Sequence, residues 1–482
     1  MTREIFGRNA EKAFFNQILN SGKAELIAVY GRRRIGKTFL VREYFADKFD
    51  FYCTGSLLDD KKTQLARFCQ QLSSHSGQYT PQVESWEAAF NLLKNHLATI
   101  KNRPAIVFID EFPWLDTPRS KFLSAFEIFW NSWGCMQDNL KFIVCGSATT
   151  WMTNKLLGNK GGLHNRVTQR IHLGPFSLYE TEQFFKSRKF AFTRQQILDA
   201  YMCLGGTPFY LEKLDNHLSV PQNIDALFFS RNAKLADEYN FLFQSLFNDS
   251  TAYKRVIELL ASKACGMTRA EIVESLKITD NGVLTEILKN LESCDFIRSY
   301  TAFGKHSKET MFQMIDLFSL FYLRYVKGYR GRDEHRWSNM IDSGSKNAWS
   351  GYAFEQVCLQ HINQIKQKLG ISGISSDVCS WRHKGDKSKD EKGKKERGAQ
   401  IDLLIDRRDG VINLCEMKYA NAPFLISSNY MDSVKARREL FRQVTKTRKA
   451  LYLTFATTCG LAPNEQRNDV QSEVTLDDLF VE

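Results

Sequence analysis

Residues 31–38 have the composition and spacing of a phosphate-binding loop. They read Gly31, Arg32, Arg33, Arg34, Ile35, Gly36, Lys37 and Thr38. An apolar run precedes them and a helix-compatible stretch starts at Phe39, which is the strand–loop–helix context that the motif requires. Backbone N–H groups of such a loop surround the phosphates, the lysine reaches the β- and γ-phosphates, and the threonine holds Mg²⁺. We expect residues 31–39 to bind ATP with Mg²⁺; the alternative is a glycine-containing turn that matches by chance.

A second pair of residues fits the same chemistry. The apolar run 105–109 ends in Asp110 and Glu111. Two adjacent carboxylates at the end of a buried strand need a compensating cation. We therefore expect Asp110 to bind Mg²⁺ and Glu111 to polarise the attacking water, unless the pair is an exposed acidic turn. Ser147 follows a third apolar run and can sense the γ-phosphate.

A third group lies near the C-terminus. The apolar runs 401–405 and 411–415 flank an Asp409-Gly410 pair, which predicts a β-hairpin. Folding about that turn brings Asp402 close to Glu416, and Lys418 shares a strand face with Glu416 because side chains alternate. Two carboxylates can bind a divalent cation, and a lysine can orient the water that attacks a phosphodiester. A cross-strand Glu–Lys pair without catalytic function is the alternative.

The elements that must position these residues can be outlined from the same patterns. Residues 1–175 alternate strand and helix patterns, which predicts an α/β domain with a parallel sheet. Residues 176–248 are helical in pattern, with a helix start at Ser177. Residues 249–330 resemble a winged helix with a connector, and Thr268 with Glu271 forms a capping-box sequence there. Residues 331–482 form a fourth region.

The N-terminal residues resemble the archaeal-type ATPase family, which lies near the AAA+ and signal-transduction (STAND) ATPases. The resemblance covers about residues 1–330. It rests on Phe6-Gly7-Arg8 with Glu11, the loop 31–38, Asp110-Glu111, Gly146-Ser147 and Gly205-Gly206-Thr207-Pro208. It implies a five-stranded parallel sheet, a helical lid and a winged helix. It also implies that Pro208 lies against the adenine and that an arginine, Arg166 or Arg170, senses the γ-phosphate.

The C-terminal residues resemble the PD-(D/E)xK nuclease core, over roughly residues 345–460. This resemblance implies a mixed-sheet, restriction-endonuclease-like domain in which an acidic residue on a preceding helix, here Glu355, completes the site. Asp402 and Glu416 would then bind Mg²⁺, and Lys418 would act in catalysis. The proline that usually precedes the first aspartate is absent, and Ile401 stands in its place.

Composition limits the class of protein. A chain of 482 residues should hold about three domains, and 43% hydrophobic residues suffice for buried cores. The net charge of +12 favours a polyanionic partner, DNA before RNA, over a membrane. Eleven cysteines without a C-x-x-C pair predict reduced thiols in a cytoplasmic protein. No apolar run approaches the length of about 18 residues that spans a membrane.

These patterns support a primary hypothesis and two alternatives. The primary hypothesis is an ATPase that gates a Mg²⁺-dependent nuclease, most simply a DNA endonuclease. The first alternative is an ATP-dependent regulator whose nuclease-like domain only binds DNA or a partner. The second is a STAND-like signalling switch. The substrate's sequence, a homo-oligomeric state and the biological trigger are left open.

Overall fold

A computed structural model describes residues 4–147, 149–158, 162–163, 165–247, 249–305, 309–383, 385 and 398–482. By its internal contacts the chain divides into two compact units, Met1–Pro175 and Phe176–Glu482. The charged run from Lys384 to Arg397, noted in the sequence as a mixed-charge segment, lies outside the described residues apart from Gly385. Within the second unit, the finer boundaries at residues 248 and 330 stay predictions.

The first unit contains a five-stranded parallel sheet, as the family resemblance predicts. Its strands are β1 Glu25–Tyr30, β2 Phe51–Thr54, β3 Ala105–Asp110, β4 Leu140–Gly146 and β5 Gln169–His172. The strand order is β2-β3-β4-β1-β5, and every pair is parallel. The carboxyl ends of β1, β3 and β4 therefore lie at one edge of the sheet, where ligands bind in such folds.

Helices cover both faces of this sheet, which explains why its strands are apolar without alternation. Leu26 and Ala28 of β1 pack in one apolar cluster, whereas Ile27 and Val29 pack in another. The helices of the unit are α1 Asn9–Leu19, α2 Lys37–Tyr44, α3 Lys61–Ser76, α4 Trp86–Leu97, α5 Phe122–Ser132 and α6 Thr149–Trp151, the last continuing as a π-helix Met152–Leu157.

The second unit begins with five helices. They are α7 Leu178–Ser187, α8 Arg194–Leu204, α9 Pro208–Leu211, α10 Val220–Phe228 and α11 Glu238–Leu246. The predicted helix start at Ser177 is confirmed, because Ser177 and Glu180 form a capping box. A break at residues 205–207 separates α8 from α9.

Three helices and a small antiparallel sheet follow. They are α12 Ser250–Ala261, α13 Arg269–Leu276, α14 Gly282–Ser293, β6 Met267–Thr268, β7 Ile297–Thr301 and β8 Thr310–Met314. The strand order is β6-β8-β7. Thr268 and Glu271 form the expected capping box. A short helix, α15 Leu317–Phe321, continues as a π-helix Tyr322–Val326.

The C-terminal region contains the mixed sheet that the sequence predicts. Its strands are β9 Ser376–His383, β10 Ala399–Arg407, β11 Val411–Lys418, β12 Ala450–Thr457 and β13 Ser472–Thr475. They lie in chain order, with β9, β10 and β11 antiparallel and β11, β12 and β13 parallel. The helices are α16 Gly344–Gln360, α17 Ile362–Lys368 and α18 Ser428–Thr445.

Candidate functional sites

The loop between β1 and α2 has a backbone that two glycines make possible. Gly31 has a φ of +147°, and a Cβ atom there would collide with the carbonyl oxygen of Leu173. Gly36, with a φ of +86°, precedes the first turn of α2, where no side chain caps the helix. Helix α2 therefore begins at the loop, and no side chain caps its first backbone N–H groups. Such N–H groups are available to bind an anion.

The loop's basic side chains differ in their surroundings. Lys37 is buried, and its Nζ donates a 2.8 Å hydrogen bond to the carbonyl oxygen of Arg32. Arg32 itself is buried, whereas Arg33 is exposed, as is Phe39, the first residue after the loop. Ile35 is buried in the apolar cluster beneath the loop, and Arg34 adopts a positive φ of 74°. The lysine is thus held within the loop by a backbone carbonyl that a phosphate can replace.

Thr38 and Asp110 meet at the carboxyl edge of the sheet. The Thr38 hydroxyl donates a 2.7 Å hydrogen bond to Asp110 Oδ2, and Asp110 Oδ1 accepts one of 2.9 Å from the Glu111 N–H. Burial raises the pKa of the Asp110 carboxyl, and the Thr38 hydrogen bond opposes that rise. A hydroxyl beside a buried carboxylate is the donor set that Mg²⁺ takes in phosphate-loop ATPases, so these residues fit that cation.

The Glu111 carboxylate is bound by Ser147. Ser147 Oγ lies 2.9 Å and 2.8 Å from the two Glu111 carboxylate oxygens, and its N–H donates to Oε2 at 3.2 Å. Gly146 permits this approach, because a Cβ there would lie 2.8 Å from the Pro113 ring. The sequence predicts that Ser147 senses the γ-phosphate. In the structure Ser147 instead contacts Glu111, the residue predicted to polarise the attacking water.

The remaining predicted nucleotide contacts are Pro208, Arg166 and Arg170. Pro208 is the first residue of α9 and belongs to the second unit. A Cβ on the preceding Gly206 would collide with the carbonyl oxygen of Phe176, so this break is tightly packed. Arg166 and Arg170 are both exposed. The roles of these three residues stay predictions.

The second candidate site is a cleft of about 440 Å³ in the C-terminal region. The register pairs Leu403 with Cys415, and Asp402 and Glu416 are the next residues on the two strands. The pairing of β10 with β9 shifts register between Ile401 and Leu404. Helix α16 adds Glu355, and β11 ends at Lys418. The cleft is lined by Glu355, Gly398, Ala399, Gln400, Asp402, Cys415, Glu416, Met417, Lys418, Tyr430, Ser433 and Arg437. The four residues singled out in the sequence therefore share one cleft.

Three carboxyl groups and two basic side chains line this cleft. The pKa of Glu355 is raised to about 8, mainly by burial and further by the Asp402 and Glu416 carboxylates, while Lys418 opposes the rise. A third negative charge is therefore disfavoured in the absence of a cation.

The structure adds three residues that sequence reasoning did not assign to the site. Glu416 Oε1 pairs with Arg437 Nη2 at 2.8 Å, and Glu416 Oε2 accepts a 2.6 Å hydrogen bond from the Tyr430 hydroxyl. Gln400 Nε2 donates a hydrogen bond to Asp402 Oδ1. Arg437 lies in a stretch of the sequence rich in basic residues, and no local pattern marks Tyr430 or Gln400.

Asp402 and Glu416 have the oxygen ligands that Mg²⁺ prefers. In the part of the chain that the structure describes, no group of three or more acidic, histidine or cysteine side chains is arranged to hold a metal ion. Protein donors contact both oxygens of Glu416. The donor set fits a divalent cation on condition that Arg437 releases Glu416.

The first site lies within a stretch of the chain that matches a known domain family. Residues 5–214 match the model of an ATPase domain found predominantly in Archaea. This part of the chain is an ATPase domain of the archaeal-type family, with the features of a phosphate-loop ATPase. An ATP-binding protein of Methanocaldococcus jannaschii is 44% identical over 41 residues, which are 8% of this chain and 70% of that protein.

Similarity also extends beyond the ATPase domain. Another M. jannaschii protein, itself uncharacterized, is 27% identical over 382 residues, covering 79% of this chain and 82% of its own. The Walker-type ATPase of Pyrococcus abyssi is 18% identical, with a TM-score of 0.49 over 67% of this chain and 97% of that chain. Among the described residues, no helix is both long and apolar enough to cross a membrane.

Proposed function

We propose that this chain hydrolyses ATP in its first unit and uses that cycle to control a Mg²⁺-dependent nuclease site in its second unit. DNA is the expected substrate, because the net charge of +12 favours a polyanion. The observation that supports the nuclease most directly is the convergence of Glu355, Asp402, Glu416 and Lys418 on one cleft.

In the ATPase, different residues bind the phosphates, hold the cation and polarise the attacking water. Lys37 exchanges the Arg32 carbonyl for the β- and γ-phosphates, and the N–H groups at the start of α2 surround them. Thr38 and Asp110 would hold Mg²⁺, which neutralises phosphate charge when bound. Glu111 polarises the attacking water once Ser147 releases its carboxylate, and Ser147 is then free to meet the γ-phosphate.

In the cleft, Asp402 and Glu416 would hold Mg²⁺, which stabilises charge on a phosphodiester. Lys418 lies at the end of β11 and orients the attacking water. Its Nζ lies 5.0 Å from the centre of the Tyr430 ring, which restricts where the ammonium group can go. Glu355, with its pKa raised to about 8, retains a proton until a cation enters.

One hydrogen bond within the second unit joins helix α8 to the strand end that carries Lys418. Tyr419, the residue after Lys418, donates a 2.8 Å hydrogen bond to Asp199 of α8. Helix α8 leads directly into the break at residues 205–207 and Pro208, the segment that the family resemblance assigns to adenine. A movement of α8 that follows the nucleotide would therefore reach the residue next to Lys418.

A second function is favoured by one observation. Because Arg437 and Tyr430 contact both Glu416 oxygens, the cleft can also be a binding surface that holds DNA or a partner without cutting it. The ATPase would then act as a switch for binding.

One assay separates these two functions. Linear, circular and single-stranded DNA are each incubated with the purified protein, with and without ATP and with Mg²⁺ or Mn²⁺. Cutting that needs the cation and changes with ATP supports the nuclease. Binding of DNA without cutting under every condition would replace it with the switch.

A further inference from the structure

Two side chains of helix α18 contact Glu416 and so compete with a metal ion for its carboxylate. Arg437 and Tyr430, nearly two turns apart on this helix, contact the two different oxygens of the same carboxylate. The Glu416 side chain is only 12% exposed, so little of its carboxylate is left to water. The guanidinium at Oε1 and the hydroxyl at Oε2 occupy lone pairs that a cation would use, and the guanidinium charge repels a cation at short distance.

Arg437 is also poised for a second partner. Its Nη1 lies 3.5 Å from the carbonyl oxygen of Gln400, a weak contact at the limit of hydrogen bonding. Within the described ranges, its buried Nε has no acceptor in good hydrogen-bond geometry, and the Tyr430 hydroxyl is the neighbour that interacts with the guanidinium besides Glu416. The guanidinium lines the same cleft as Asp402 and Lys418. An acceptor with several oxygens, such as a phosphodiester, would satisfy donors that Glu416 leaves unused.

We propose that Arg437 is a metal-displaced positioning residue. Without a cation it neutralises Glu416; when a cation binds Asp402 and Glu416, the guanidinium is released into the cleft and binds a phosphate of the nucleic acid. This inference rests on the proposed nuclease function and names the residue that links cation binding to substrate binding. Arg437 and the cation compete for the Glu416 carboxylate. Arg437 favours the cation-free cleft, and the cation favours the cleft in which the guanidinium is free to bind a phosphate.

The test begins with cation affinity, which does not depend on cutting. Calorimetry measures Mn²⁺ binding to the nucleotide-free full-length protein. The binding heat that is present in the wild type and absent in Asp402→Asn is assigned to the cleft. Arg437→Gln should bind Mn²⁺ about tenfold more tightly than the wild type, because no ion pair has to open. Arg438→Gln, which makes the same charge change one residue along α18, should bind like the wild type.

Tyr430→Phe provides an independent variant. It removes the hydrogen bond to Glu416 Oε2 while keeping the ring, so its Mn²⁺ affinity should also rise, by less than that of Arg437→Gln. A thermal melt of each variant reports whether it is folded. If both variants bind Mn²⁺ no more tightly than the wild type, the competition does not exist.

The second arm measures the binding of a DNA duplex by fluorescence anisotropy. It uses a Lys418→Ala background, in which cutting should be slow enough for binding to be read before the DNA is cut. With Mn²⁺ present, adding Arg437→Gln should weaken binding severalfold; in EDTA it should change binding little. Equal weakening in both conditions would overturn the release of Arg437. If Asp402→Asn removes no Mn²⁺ heat, the cleft binds no cation, and the nuclease function itself fails together with this inference.

Discussion

Ser147 donates hydrogen bonds to both carboxylate oxygens of Glu111, through its hydroxyl and its backbone N–H. Ser147 follows β4 and Glu111 follows β3, so two neighbouring strands bring together the proposed phosphate sensor and the proposed water-polarising residue. In this arrangement Glu111 is not free to act on water. A γ-phosphate that attracts Ser147 would release Glu111 at the moment when hydrolysis needs it.

Replacing Glu111 should therefore separate ATP binding from hydrolysis. We expect Glu111→Gln to keep ATP affinity near the wild-type value and to slow hydrolysis by about 10²–10⁴-fold, because the amide cannot polarise water as a carboxylate does. Phosphate release and calorimetry measure the two quantities. Glu84→Gln, at an exposed position, is the matched control, and Lys37→Ala should abolish binding. Unchanged hydrolysis in Glu111→Gln would contradict the assignment.

Variants of the cleft should stop cutting without affecting the ATPase. Asp402→Asn and Glu416→Gln should reduce DNA cutting below detection, because each removes a carboxylate that would hold the cation. Lys418→Ala should slow cutting by about 10²-fold and leave cation affinity nearly unchanged, since an ammonium is not a metal ligand. Gel assays of cutting and phosphate-release assays of ATP hydrolysis are run in parallel.

The control for the cleft variants is Asp377→Asn, an exposed carboxylate on β9 that lies opposite Asp406 and pairs with Arg408. It should leave both activities intact. Cutting that survives in Asp402→Asn would show that another site is responsible.

The Tyr419–Asp199 hydrogen bond should matter for coupling. Tyr419→Phe removes the donor at a cost of about 1 kcal/mol of stability. If α8 transmits the nucleotide state, ATP hydrolysis and basal cutting should persist while the ATP dependence of cutting disappears. Tyr452→Phe, on the half-exposed β12 tyrosine, is the control. ATP dependence that is equal in wild type and Tyr419→Phe would exclude this route.

Acid should destabilise the second unit through His361. This buried imidazole accepts a 2.9 Å hydrogen bond at Nε2 from the Leu178 N–H, and its Nδ1 lies 2.8 Å from the Val357 carbonyl oxygen. Burial lowers the pKa of His361 to about 4, so the unfolded chain takes up its proton first as the pH falls. Stability from this group is therefore complete above pH 6.5 and is lost as the pH falls towards about 4.

Denaturation by urea at several pH values measures this effect. Between pH 7 and pH 4 the wild type should lose up to about 3 kcal/mol more than His361→Gln, whose side chain does not titrate. His217→Gln, at an exposed histidine, should follow the wild type. Parallel curves for wild type and His361→Gln would show that His361 does not carry the acid sensitivity.

Motifs whose residues are neighbours in the chain were predictable from the sequence. The loop 31–38, the Asp110-Glu111 pair and the Asp409-Gly410 hairpin are each defined by neighbours in the chain, whose geometry follows from local backbone rules. The parallel sheet followed from apolar runs without alternation, because only strands buried on both faces have that pattern. The family match over residues 5–214 agrees with that interpretation.

Contacts between distant elements were decided by tertiary structure alone. The pairing of Ser147 with Glu111 depends on which strands are neighbours, and the contacts of Glu416 with Tyr430 and Arg437 depend on how α18 packs on the sheet. His361 contacts a residue 183 positions earlier in the chain. Local sequence patterns determine periodicity and turns, whereas such contacts depend on the packing of whole helices and strands, which no short stretch of residues specifies.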